Sequence, residues 1–161
     1  MRIAVIGGHQ ANPEQLQEAE ALGGAIAVAG ATLICGGLGG IMEAACRGAR
    51  LAGGVTIGIL PGLLAEEAND YVLYPIVTGI GDARNSIVVR SAEVVIAVAG
   101  STGTLSEIAY ALKSNIPVFS LRSWNIPGVV QVASPAEAVV KAVACLKEEP
   151  SDGEVPSAPA G

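Results

Sequence analysis

Basic residues are scarce in this chain. Nine Lys and Arg stand against fifteen Asp and Glu, for a formal net charge of −6, and the nine form no cluster. A basic face is the electrostatic footprint of a nucleic-acid binder, so neither nucleic acid nor an anionic membrane is an expected partner. The three cysteines, Cys35, Cys46 and Cys145, are odd in number and far apart in sequence. They show neither a metal-ligand spacing nor a disulfide framework; no metal site is expected, and reduced, cytosolic thiols are the simplest reading. No run reaches the ~18 uninterrupted apolar residues of a membrane helix. The apolar start at Met1 ends at Gly7-Gly8, too soon for a signal-peptide core. A cytoplasmic protein is expected.

Aromatic residues make up only 3% of the 161, while apolar residues make up 51%. Ala, Val, Ile, Leu and Gly carry the bulk. This is the palette of an α/β protein whose parallel strands are covered on both faces and so read as continuous apolar runs. The length suits a single domain with one sizeable core.

Strands and helices alternate along the chain. Residues 2–6, 31–35, 55–60, 75–78, 93–98, 116–121 and 129–132 read as strands. Residues 13–28, 41–52, 81–92, the stretch to about 114, and 135–147 read as helices. Asn12 followed by Pro13 has the form of an N-cap with proline at the first helical position. The alternation predicts a βαβ architecture with a mostly parallel sheet. The segment 148–161 is rich in Pro, Ser, Gly and acidic residues and is expected to be a disordered tail.

Three glycine-bearing loops follow three of these strands: Gly7-Gly8, Gly36-Gly37-Leu38-Gly39-Gly40, and Gly100-Ser101-Thr102-Gly103-Thr104. In a parallel sheet all three open on the same edge, where ligands bind near the switch point. The third joins a strand end to a helix start and offers bare backbone N–H groups at the positive end of a helix dipole, a ready anion site. None of the loops has the dinucleotide spacing G-x-G-x-x-G, and no Walker lysine follows them. Thr104 and Glu107, three apart, face one side of the helix start. They read either as phosphate holder and acid–base group or as a local capping box. Arg84 reads either as a planar cationic fork for a phosphate or carboxylate or as a solvated surface arginine. Trp124 reads as a base-stacking surface or as a cover for the core edge.

Four segments carry a family resemblance. They are Gly36 to Ala49, Ile59-Leu60-Pro61-Gly62, Ala83-Arg84-Asn85, and Gly100 to Glu107. Over about residues 1 to 145 the chain resembles the Lonely-Guy (LOG)-like Rossmann superfamily, once labelled lysine decarboxylases, and most closely its molybdenum cofactor carrier protein branch. The resemblance implies a Rossmann-like three-layer sandwich and a homodimer or larger homo-oligomer. It also implies a phosphorylated small-molecule ligand, either molybdenum cofactor or a related nucleotide, with no catalytic cofactor.

Ligand contacts are expected from Gly7, Gly8, Gly36, Gly37, Gly39, Gly40, Arg84, Asn85, Gly100, Ser101, Thr102, Gly103 and Thr104. In the LOG phosphoribohydrolases an arginine and the glutamate of P-G-G-x-G-T-x-x-E serve cleavage of a base from its ribose 5′-monophosphate. Arg84 and Glu107 match them, and would be the catalytic pair of an enzyme. Asn85 stands where a lysine is typical, and Ala99-Gly100-Ser101 replaces Pro-Gly-Gly. These departures favour a carrier over a hydrolase; a nucleotide sensor without chemistry is the third reading.

Overall fold

A computed structural model describes residues 1–147; the expected tail, 148–161, lies outside the described residues. Seven strands form one sheet: β1 (Arg2–Ile6), β2 (Thr32–Cys35), β3 (Thr56–Leu60), β4 (Tyr74–Val77), β5 (Val94–Val98), β6 (Val118–Leu121) and β7 (Val129–Val132). Five α-helices connect or follow them: α1 (Pro13–Val28), α2 (Ile41–Leu51), α3 (Asn85–Arg90), α4 (Thr102–Lys113) and α5 (Pro135–Lys147). The sheet order is β4-β3-β2-β1-β5-β6-β7, and each of its six pairings is parallel. The fold is Rossmann-like α/β. The order reverses at β1, which pairs with β2 on one side and β5 on the other.

Strand pleat divides the core into two layers. Ile3 and Val5 of β1, Leu33 and Cys35 of β2, and Val94, Ile96 and Val98 of β5 pack with α1, α2 and α5. The alternate residues Ala4, Ile6, Ile34, Val95 and Ala97 pack with α3 and α4. All of these side chains are at most 2% exposed, which is why the central strands tolerate no polar alternation.

Local signals set the helix ends. The Asn12 side chain accepts from the Gln15 N–H and the Gln15 side chain accepts from the Asn12 N–H, both at 2.9 Å, so α1 opens on a reciprocal capping box. The helices α1 and α2 approach backbone to backbone. A Cβ on Gly48 would lie 1.8 Å from the Glu20 carbonyl oxygen, and one on Gly23 would lie 1.9 Å from that of Ala45. The expected single helix over 81–92 divides into a 3-10 turn, Gly81–Arg84, and the short α3. The break places Arg84 at the junction, with its side chain turned inward.

Candidate functional site

The three glycine loops meet above the switch point. A Cβ on Gly8 would sit 3.5 Å from Ser101 Cβ, and one on Gly40 would fall 2.3 Å from the His9 carbonyl oxygen. Between them opens a hollow of about 140 Å3, lined among others by Gly7, Gly8, Arg84, Asn85, Ser101, Gly103, Thr104 and Glu107. His9 also lines an adjoining hollow of about 290 Å3 with Gly40, Glu43 and Arg47. Thr102 lines a third, of about 460 Å3, that shares Asp82, Asn85 and Gly103 with the first.

Arg84 is buried, at 6% exposure, so the solvated alternative is ruled out. Its Nε–H donates to the Ile59 carbonyl at 2.9 Å, which anchors the guanidinium at the end of β3. Gly36 makes room for it, since a Cβ there would lie 2.8 Å from Arg84 Nη2. A buried guanidinium retains its charge, so the hollow has a fixed cation. Asn85 is 8% exposed, and its Oδ1 is buried without a hydrogen-bond partner.

The capping reading of Thr104 and Glu107 is corrected by the structure. The N-cap of α4 is Ser101, and the box joins Ser101 to Thr104. Ser101 Oγ accepts from the Thr104 N–H at 3.3 Å, and Thr104 Oγ1 accepts from the Ser101 N–H at 3.4 Å. The helix therefore begins one turn earlier than the Thr104–Glu107 frame requires. Glu107 is released from capping and lies buried on the inward face of α4, 7% exposed. Burial pushes its carboxyl up to about 7, against the opposing pull of the Arg84 charge. The N–H groups of Thr102 and Gly103 occupy the first turn, where helix geometry supplies no partner.

Gly37, Gly39 and Gly100 do not line this hollow. Gly37 is buried against Leu60 and Gly58, Gly39 stands beside His9 and Glu43, and a Cβ on Gly100 would come within 3.0 Å of Trp124 Nε1. Trp124 itself donates from Nε1 to the Ser101 carbonyl at 3.1 Å, clamping the loop.

Sequence reasoning missed Asn69. Its Nδ2 donates to the carbonyls of Leu38 at 2.9 Å and Gly37 at 3.2 Å, and its backbone N–H also donates to Gly37. It braces the second glycine loop from 31 and 32 residues away in sequence, so no local pattern marks it. Cys35 and Cys46 are also brought together, with their sulfurs 3.4 Å apart. Among the described residues no cluster of three or more His, Cys, Asp or Glu has metal-binding geometry, and no helix is long and apolar enough to cross a membrane.

The family model described as SLOG cluster4 matches residues 1–148. An uncharacterized protein of Archaeoglobus fulgidus is 43% identical over 140 residues, which cover 86% of this chain and 92% of that one. Among solved structures, the molybdenum cofactor binding protein of the phototrophic bacterium Rippkaea orientalis is 39% identical with a TM-score of 0.85, covering 90% of this chain and 96% of that one. The molybdenum cofactor carrier protein of Chlamydomonas reinhardtii is 36% identical with a TM-score of 0.83, over 91% and 98% of the two chains.

Proposed function

The chain belongs to the SLOG cluster4 family, and from that premise we propose that it binds and carries molybdenum cofactor or a closely related phosphorylated ligand. The observation that supports this best is the buried Arg84 at the hollow beneath the amino end of α4. An anion placed there meets the guanidinium fork and the unpartnered first-turn N–H of Gly103 together. The adjoining hollow beside His9 leaves room for the rest of the ligand. Structural relatives at 36–39% identity bind or carry this cofactor. Glu107, neutral below about pH 7, then donates a hydrogen bond to the ligand instead of repelling it.

A second reading, hydrolysis of nucleoside 5′-monophosphates, draws on one observation. Glu107 is a buried carboxyl whose proton equilibrium lies near neutrality, as a general acid–base group requires. Purified protein mixed with the phosphorylated pterin is expected to retain it through gel filtration, read by pterin fluorescence. A panel of nucleoside 5′-monophosphates is expected to release no free base by chromatography. Base release that disappears in Glu107→Gln would reverse the order of the two readings.

A cytosolic location belongs to the same proposal, supported by three cysteines of which none is in a disulfide. So does a homo-oligomer, which would cover the β4 edge. All four β4 residues are exposed, and Leu63, Leu73, Tyr74, Ile76, Val77 and Ile80 show between 39% and 78% of their surface. Such a run exceeds the scattered apolar exposure ordinary for a monomer. Light scattering is expected to give a multiple of the 16.1 kDa chain mass and Ile76→Lys a monomer; a monomeric wild type would refute this assignment of the face.

A further inference from the structure

We propose that Cys35 and Cys46 are an oxidation site, a buried dithiol that a peroxide closes to an intramolecular disulfide, and that closure loosens the glycine loop between them. The sulfurs are 3.4 Å apart and both residues are 0% exposed. Cys35 is the last residue of β2 and Cys46 lies in the second turn of α2. The chain joining them is the loop Gly36 to Gly40 and the first turn of α2, so any change at the sulfurs is felt by that loop. The link is direct, because the Gly37 N–H donates to Cys35 Sγ at 3.3 Å.

The two thiols are unequal. The Cys46 S–H and the Gly37 N–H favour a thiolate at Cys35, as does the Arg84 charge, and together they outweigh burial and the Glu107 charge. Cys46 is pushed the other way by its bond to the Cys35 sulfur and by burial. The Gly37 N–H, 3.3 Å from Cys35 Sγ, holds a thiolate there, so Cys35 is the attacking sulfur. Its thiolate displaces hydroxide from hydrogen peroxide, breaking the O–O bond and forming a sulfenic acid. The Cys46 sulfur then attacks the Cys35 sulfur, the S–O bond breaks, and the hydroxyl leaves as water with the Cys46 proton. Two thiols lose two electrons and one peroxide becomes two waters.

A disulfide bond is about 2.05 Å long, so the sulfurs close by roughly 1.3 Å. The Cys35 sulfur is drawn toward α2 and away from the Gly37 N–H. The loop then loses that bond and keeps its bracing by Asn69 and the Ala44 N–H bond to the Gly40 carbonyl. That the oxidised form also releases its ligand rests on the function proposed above; the disulfide and the loosened loop do not.

The test treats the full chain with hydrogen peroxide. Intact mass is expected to fall by two hydrogens, and alkylation of the unfolded product to label Cys145 but neither Cys35 nor Cys46. Dithiothreitol is expected to restore both. Cys145→Ser should behave as wild type, and Cys46→Ser should stop at a Cys35 sulfenic acid trapped by dimedone. Hydrogen exchange of the Gly37–Gly40 amides is expected to rise about tenfold on oxidation and return on reduction. Alkylation of both cysteines after peroxide, a crosslink through Cys145, or oxygen addition to a single sulfur without closure would overturn the site. A closed disulfide with unchanged loop exchange would overturn the coupling.

Discussion

Glu107→Gln is expected to stabilise the protein at pH 8 by about 3 kcal/mol and to leave its stability nearly unchanged at pH 4.5 or below. The native carboxyl ionises at about 7 instead of 4.5 because it is buried on α4, with Arg84 only partly offsetting the burial. Between those values the native state holds a proton that the unfolded chain has released. Wild-type stability therefore falls as pH rises through that window and levels off above about pH 7. Glutamine keeps the shape and cannot ionise, so its stability lacks this fall. Urea unfolding of both proteins at several pH values reads the difference directly. Parallel stability curves across the window would mean that Glu107 is solvated or paired in solution.

Arg84→Met is expected to weaken binding of the phosphorylated pterin by at least about 100-fold, since a charge-assisted, two-pronged contact is lost along with the fixed cation. The same substitution removes the charge that holds the Glu107 carboxyl down, so the fall of stability still begins near pH 4.5 but extends to higher pH and becomes larger. Lysine is not expected to rescue it. Nε of Arg84 is committed to the Ile59 carbonyl at 2.9 Å while the rest of the fork extends past Gly36, and an ammonium cannot do both. Retention on gel filtration measures the first effect and the pH series the second. Binding within twofold of wild type would remove Arg84 from the ligand site.

How much of this was legible in the residues differs from element to element. The buried strands were, because Val94 to Val98 is an apolar run that only a doubly covered strand accommodates. The start of α1 was too, because Asn12 and Pro13 state it locally. The start of α4 was left open between two readings. Both Ser101 to Thr104 and Thr104 to Glu107 have the spacing of a capping box, and only the geometry of the β5 exit, clamped by Trp124, selects the first. That one-turn difference decides between Glu107 as a helix cap and Glu107 as a buried acid.

By itself the sequence determined the α/β alternation, the three loops at strand ends, and the family to which the chain belongs, since each is written in contiguous residues. Tertiary structure alone decided the state of the side chains that matter. Arg84 could be solvated or buried until the end of β3 supplied a carbonyl and Gly36 supplied space. Asn69 became a brace, and Cys35 and Cys46 a pair, only when the sheet brought distant segments together. Local preference acts over a few residues of chain, whereas burial and charge depend on what arrives from elsewhere in the fold.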